Sequence, residues 1–275
     1  MAWDNLQQDN LSMDLDLKDK VIMVAASSKG LGYGIAEAVA QEGARVSLAS
    51  RTEADIGRAA STLRDQFDAD ARGYTFDARD AEAIKRWCAA TLDDFGTVDG
   101  LVVNAGGPPA GKFDQFDDDT WTNAFQLTLL SAVRMIRAVL PTMKRQQSGA
   151  ILTVTSTSVK EPNDILLLSN VFRSGVVSLV KTLSRDLAPQ GIRINNLIPG
   201  RIDTDRVRSL DQIGADRRGI AVSQQKAEQE QAIPIGRYGS IQEFGAAGAF
   251  LLSDAARYIT GTTLLVDGGK TRTVW

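Results

Sequence analysis

Short, unbroken apolar runs alternate with amphipathic helix patterns along almost the whole chain, and most runs end in a polar or glycine-containing turn. The first run is Val21 to Ala26, followed by Ser27-Ser28-Lys29-Gly30-Leu31-Gly32 and a helix carrying Ile35, Ala36, Val39 and Ala40 on one face. Val46 to Ala49, Gly73 to Phe76, Leu101 to Val103, Ile151 to Thr155, Ile192 to Ile198 and Thr263 to Val266 repeat the theme. Continuous apolar strands are buried on both faces, and a helix between successive strands forces parallel pairing through right-handed crossovers. The pattern predicts an α/β fold, a doubly wound parallel sheet of about seven strands with helices on both faces. In such sheets ligands bind beyond the carboxyl ends of the strands, which directs attention to the turns.

No break in composition and no flexible linker divides the pattern, so residues 17–275 are read as one domain. Residues 1–16, acidic and polar, are read as a loosely held N-terminal extension without the basic and apolar regions of a signal peptide. With 43% hydrophobic residues the chain can bury a sizeable core, and a net charge of -3 argues against nucleic acid or an anionic membrane as partner. No apolar run reaches the ~18 residues of a membrane span. Histidine is absent, which removes histidine metal sites and Ser–His or Cys–His catalysis. The single cysteine, Cys88, falls at helical spacing with Ile84, Trp87, Leu92 and Phe95, as a buried structural thiol would, and its isolation fits a reducing cytoplasm. The aspartates from Asp114 to Asp119 are read as the start of a helix, where carboxylates are favoured by the helix dipole, and no metal site is expected.

The strand ends carry the candidate chemistry. Glycines after the first strand let a backbone approach a pyrophosphate, and the helix N-terminus that follows favours the anion. The second strand ends in Ser50-Arg51, with no carboxylate to hold a ribose 2′-hydroxyl. Together with Lys29, that favours NADP(H) over NAD(H). Ser156 closes the fifth strand, and Ser169 and Arg173, four apart, share one face of the next helix. A hydroxyl at a strand end facing a hydroxyl and a cation is the geometry of an active site.

The spacing of these turns resembles that of the short-chain dehydrogenase/reductase family over residues 18–269, in the style of its 3-oxoacyl-carrier-protein reductases. Gly30 and Gly32 match the last two glycines of TGxxxGxG, while Ala25 and Ala26 stand where its threonine and first glycine would be. Asn104-Ala105-Gly106 resembles the family's NAG, and Pro199-Gly200-Arg201-Ile202-Asp203-Thr204 its PG-x-(I/V)-x-T segment. Ile233 to Gly239 resembles IPLGRxG, and Ile259-Thr260-Gly261 through Asp267-Gly268-Gly269 its terminal ITG…VDGG. The resemblance implies a three-layer Rossmann-type fold and a cofactor contacted by Ser27, Ser28, Lys29, Gly30, Leu31, Gly32, Ser50, Arg51, Asp77, Ala78, Asn104, Ala105, Gly106, Arg173, Pro199, Gly200, Ile202 and Thr204. It also implies a substrate lid over residues 201–232, a homotetramer or homodimer, and last residues (270–275) that cross to a neighbour.

The resemblance fails where the family does its proton chemistry. Its tetrad is Asn, Ser, Tyr and Lys. Here Thr128 replaces the asparagine, Ser156 is retained, Ser169 replaces the tyrosine and Arg173 the lysine. A phenol titrates near 10 and can act as an acid, a serine hydroxyl is far less acidic, and arginine stays charged where lysine can pass a proton. Lys160, four residues past Ser156, could supply the missing proton or bind an anionic substrate with Arg201 or Arg206. Three functions remain open at this point: an NADP(H)-dependent oxidoreductase acting on a small carbonyl or alcohol with a non-standard proton donor, a cofactor-binding sensor or scaffold with little catalysis, and a non-redox reaction on the same scaffold.

Overall fold

The structure is a computed structural model that describes residues 14–274; most of the expected N-terminal extension and Trp275 lie outside the described residues. Seven strands form one parallel sheet: β1 (Val21–Ala25), β2 (Arg45–Ser50), β3 (Ala71–Thr75), β4 (Gly100–Val103), β5 (Gly149–Val154), β6 (Ile192–Pro199) and β7 (Thr263–Val266). Their order is β3-β2-β1-β4-β5-β6-β7, so the chain winds outward from β1 to one edge and then from β4 to the other. The reversal lies between β1 and β4, which pair through Ile22–Gly100 and Val24–Val102.

Side chains alternate along each strand and feed two cores. Ile22, Val24, Val46, Leu48 and Leu152 face helices α1 (Gly30–Gln41) and α2 (Glu53–Phe67). Met23, Ala25, Leu101 and Ile151 face α3 (Ala81–Phe95), which carries the buried Cys88. The Cys88 thiol donates to the Ala138 carbonyl, and burial pushes its pKa up, as for an unreactive structural thiol.

The next helical stretch is broken where the sequence periodicity runs on. Asp117 caps α4 (Asp118–Phe125) by accepting from the Thr120 amide at 2.8 Å. A π-helical turn, Gln126–Leu130, then inserts an extra residue before α5 (Ser131–Gln146). By length and mean hydropathy (1.3) the helical stretch Asp118–Gln146 passes for a bilayer span, although Asp118, Asp119, Arg134, Arg137, Lys144 and Arg145 interrupt its apolar residues. In the structure Ala132, Met135, Ile136, Val139 and Met143 are buried against the sheet.

The long α6 (Leu167–Leu187) packs beside α5. The charged stretch after β6, expected as a lid, forms two helices, α7 (Asp205–Arg218) and α8 (Val222–Gln231). They bury mainly polar positions, Asp211 and Gln225 with Ala215, so little apolar periodicity announces them. Asp211, only 2% exposed, accepts from Arg201 at 2.5 Å and from the Tyr238 hydroxyl at 2.9 Å, tying α7 to the body.

The last helix, α9 (Ile241–Leu252), opens with a capping box in which Ser240 and Glu243 exchange hydrogen bonds. It crosses α1 at backbone contact: a Cβ on Gly245 would lie 2.1 Å from the Gly34 oxygen, and one on Gly34 would lie 2.3 Å from the Ile241 oxygen. One end of the chain departs from expectation. Leu15, assigned to a loose extension, packs on the core and accepts from the Asp254 amide. The C-terminal residues fold back on their own chain, where the Arg272 amide donates to Glu161 at 2.7 Å.

Candidate functional site

A cleft of ≈ 630 Å³ opens at the carboxyl ends of the central strands and is lined from β1, β4, β5, α6, β6 and α7. A second cleft of ≈ 530 Å³ lies at the amino ends of the central strands, where Arg193 spends its guanidinium on the carbonyls of Leu251, Leu252, Ser253 and Ile259. The candidate residues gather in the first.

The turn after β1 brings Lys29, Gly30 and Leu31 to the cleft at the start of α1. Gly30 has φ +64°, a conformation that favours glycine, and Ala26 also holds a left-handed φ of 50°. A non-glycine residue there costs about 1–2 kcal/mol. Ala26→Gly is therefore expected to raise stability by about 1 kcal/mol, read as a higher urea midpoint. A lower midpoint would show that Ala26 is unstrained. Ser27 does not reach the cleft: it is fully buried, donating to the Val24 carbonyl and accepting from the Ala49 amide. It fastens the turn to β2. Ser28 and Gly32 likewise stand behind the lining, and Asn104 donates from the end of β4 to the Ala26 carbonyl at 3.2 Å.

Lys29 is already engaged. Its ammonium pairs with Asp205 of α7 at 2.5 Å, raising the Lys29 pKa and lowering that of Asp205. Ser50, Arg51, Asp77 and Ala78 form a separate group at the ends of β2 and β3, outside the lining of the cleft. Arg51 makes no ion pair among the described residues, and the buried Ser50 hydroxyl has no hydrogen-bond partner. Arg79 grips Asp77 and holds its carboxyl below the usual range. A buried hydroxyl without a partner beside an exposed arginine fits the 2′-phosphate end of a dinucleotide, and the α1 N-terminus fits its pyrophosphate.

At the other end, Ser156, Ser169 and Arg173 line one space, with Asn104, Ala105 and Gly106 on one side and Pro199, Gly200, Ile202 and Thr204 on the other. Arg173 is 9% exposed and has no carboxylate partner among the described residues. Its Nη1 donates to the Val154 carbonyl at 2.9 Å and the Thr155 carbonyl at 3.3 Å, and its Nε donates to Ser169 Oγ at 3.1 Å. Burial, and then the charge of Arg206, push its pKa down to about 10, so it stays cationic at neutral pH.

Thr128 sits in the π-helical turn with its hydroxyl buried and unpartnered, and it does not line the cleft. Lys160 is also absent from the lining, which instead takes Glu161 from the same loop. This weakens Lys160 as a proton donor. Thr155 and Ser158 add two further buried hydroxyls without partners in the cleft wall, positions suited to ordered water or ligand. Lys270 and Thr271, which the sequence sent toward a neighbour, line this cleft. Nothing local marks them or Glu161, because they are brought to the site only by the β7 pairing and the loop after β5.

Comparison with known proteins gives consistent matches. The family model described as Enoyl-(Acyl carrier protein) reductase matches residues 25–271. The 3-oxoacyl-[acyl-carrier-protein] reductase of Escherichia coli strain K12 is 32% identical over 255 residues, covering 93% of this chain and 98% of that relative. Among solved structures, the L-sorbose reductase of Gluconobacter frateurii complexed with NADPH and L-sorbose is 28% identical, with a TM-score of 0.90 over 95% of this chain and 100% of that one. An NADPH-bound short-chain oxidoreductase from Pseudomonas aeruginosa PAO1, described as containing an atypical catalytic center, is 29% identical, with a TM-score of 0.84 over 94% of this chain and 100% of that one.

Proposed function

The chain belongs to the short-chain dehydrogenase/reductase family, and from that premise we propose that it is an NADP(H)-dependent oxidoreductase acting on a small carbonyl or alcohol substrate with a non-standard proton donor. The observation that carries this reading is the shared cleft, in which the turn before α1 and the Ser156–Ser169–Arg173 group line one space. When bound, NADP(H) supplies or accepts the hydride. The α1 N-terminus with Gly30 and Leu31 would hold the pyrophosphate, Ser50 and Arg51 the 2′-phosphate, and Asp77 and Ala78 the adenine. Asn104, Ala105, Gly106 and Arg173 would hold the nicotinamide ribose, and Pro199, Gly200, Ile202 and Thr204 the nicotinamide.

In this reading Ser156 donates a hydrogen bond to the substrate oxygen. Ser169 accepts from the Arg173 Nε–H, which leaves its own proton free to donate. A neighbouring guanidinium also stabilises the alkoxide that proton transfer would leave on Ser169. Arg173 itself keeps its proton, because two backbone carbonyls and Ser169 all accept from it. Residues 17–275 act as one unit, with α7 and α8 as the lid. A homotetramer or homodimer belongs to this reading, with the exposed Phe125 of α4 and Val171 of α6 as apolar surface for a second copy to cover. Cytoplasmic location rests on the composition and the single buried thiol.

A second reading, a cofactor-binding protein with little catalysis, is favoured by one observation: no phenol stands in the tetrad, and a serine hydroxyl is a much weaker acid. One experiment separates the two. NADPH is expected to raise the melting temperature more than NADH does. Saturation at 100 times Kd corresponds to about 2.7 kcal/mol. NADPH oxidation is then followed against a panel of aldehydes and ketones. Stabilisation without turnover supports the second reading, and no stabilisation by either nucleotide removes the first.

A further inference from the structure

We propose that the substrate of this cleft carries a carboxylate, as an oxo acid or its hydroxy acid does, and that Arg206 binds it. This rests on the oxidoreductase reading above and deepens it.

The charge inventory of the cleft is the starting point. The protein has a net charge of -3, yet six cationic side chains line this cleft against three carboxylates, Glu161, Asp203 and Asp205. Both aspartates are paired with cations, and Glu161, held by one amide donor, sets its charge against Lys270. Asp205 pairs with Lys29, Asp203 and Asp205 with Arg208, and Glu161 accepts from the Arg272 amide. Arg201 is neutralised by the buried Asp211. Arg173, Arg206 and Lys270 are left without an ion pair among the described residues.

Arg206 is the one of these three whose placement suits a substrate group. Its Nη2 donates to the Pro108 carbonyl at 3.0 Å, which fixes the guanidinium over the loop after β4. Gly107 leaves room for it, since a Cβ there would lie 3.1–3.2 Å from the guanidinium. Beside it, a Cβ on Gly106 would meet nothing within 4 Å, so open space adjoins the cation. Burial lowers the Arg206 pKa, and Arg206 in turn lowers that of Arg173. Two half-buried or buried arginines that repel one another, with no carboxylate between them, form a site that an anion stabilises. Arg173 is already tied down by three acceptors, whereas Arg206 has one. Lys270 is turned instead to Gln229 of α8, at 3.2 Å.

The same charge could serve a cofactor phosphate. The geometry separates the two sources. Residues Thr204 and Asp205 of the α7 start face the turn before α1, through Gly30 and Lys29, whereas Arg206 is held at Pro108 and Gly107, where its charge is felt by Arg173. Arg206 therefore stands on the side of the reacting hydroxyls.

The test uses Arg206→Met and Arg206→Lys in the full chain, with malonate as the anion probe and malonamide as its neutral counterpart. Melting temperatures are read with and without NADP+, and NADPH affinity by fluorescence. Arg206→Met is expected to weaken malonate about tenfold or more, as loss of one charge-assisted hydrogen bond implies. Malonamide and NADPH are expected to move less than about threefold, with Arg206→Lys recovering part of the malonate binding. In turnover, KM for oxo acids rises while KM for neutral ketones does not. Equal malonate binding by wild type and Arg206→Met overturns the proposal, as does a parallel loss of NADPH, which would assign the cation to a cofactor phosphate. Failure of both proteins to bind NADPH would instead sink the oxidoreductase reading, while malonate binding to the free protein still reports on Arg206.

Discussion

Replacing Arg173 by methionine is expected to lower NADPH-dependent turnover by about 10²–10³-fold, the loss seen when a preorganised charge-stabilising donor is removed. The same change is expected to move the melting temperature little, because two large effects oppose each other. Methionine leaves the Val154 and Thr155 carbonyls and the Ser169 hydroxyl without their donor, at about 1–3 kcal/mol for each buried group left unsatisfied. It also removes a buried charge that has no carboxylate, which recovers several kcal/mol of desolvation. Burial pushes the Arg173 pKa down to about 10, below its value in the open chain, so stability rises with pH only above that point. The desolvation penalty is therefore present in full throughout the neutral range. Steady-state kinetics and a melting curve on the same preparation decide the matter. Turnover within threefold of wild type would show that the guanidinium supports no charge in the reaction.

Valine at Gly245 is expected to destabilise the fold by at least about 3 kcal/mol, against a total of roughly 5–15 kcal/mol for a domain. The new Cβ would fall 2.1 Å from the Gly34 oxygen and 2.6 Å from its carbonyl carbon. Both are backbone atoms, so no rotamer change relieves the clash and α1 must move away from α9. Because α1 begins at the phosphate turn, NADPH binding is expected to fall with it. Urea unfolding with and without NADPH measures both effects. An unchanged midpoint would mean that the helices do not meet at this crossing.

The sheet was legible because parallel strands buried on both faces leave continuous apolar runs: β1 and β6 appear where the runs lie, and the half-buried β7 also keeps its run from Thr263 to Val266. β3 was displaced by two residues at its start, and its composition explains why. It is an edge strand, and Arg72, Gly73 and Tyr74 are only partly buried or exposed, so burial does not mark its limits. The π-helical turn at Thr128 was invisible, since a single inserted residue barely disturbs the apolar stripe from Trp121 to Leu140. In the site, motif spacing located Ser156, Ser169 and Arg173 because all three sit on elements of fixed geometry. Spacing could not reveal that Ser27 is spent on the sheet, that Lys160 stays out of the cleft lining, or that Lys29 is held by Asp205. Those outcomes depend on side-chain partners that arrive from distant segments.

The crossing of α1 and α9 also bears on how the protein is made. The turn and helix that would receive the dinucleotide leave the ribosome about 200 residues ahead of residues 241–252, which cover α1. Until then Ile35, packed by Gly248, lacks its partner, and the surface later occupied by Phe244 stays open. A nascent chain of this topology exposes an apolar face until α9 has been made, the kind of species that chaperones hold. Its closing contacts join segments about 200 residues apart, so they form slowly compared with helix or hairpin formation. The cofactor-receiving half would thus mature only when the C-terminal half docks, and a ribosome-stalled or truncated chain would have no competent nucleotide site to be rescued by ligand.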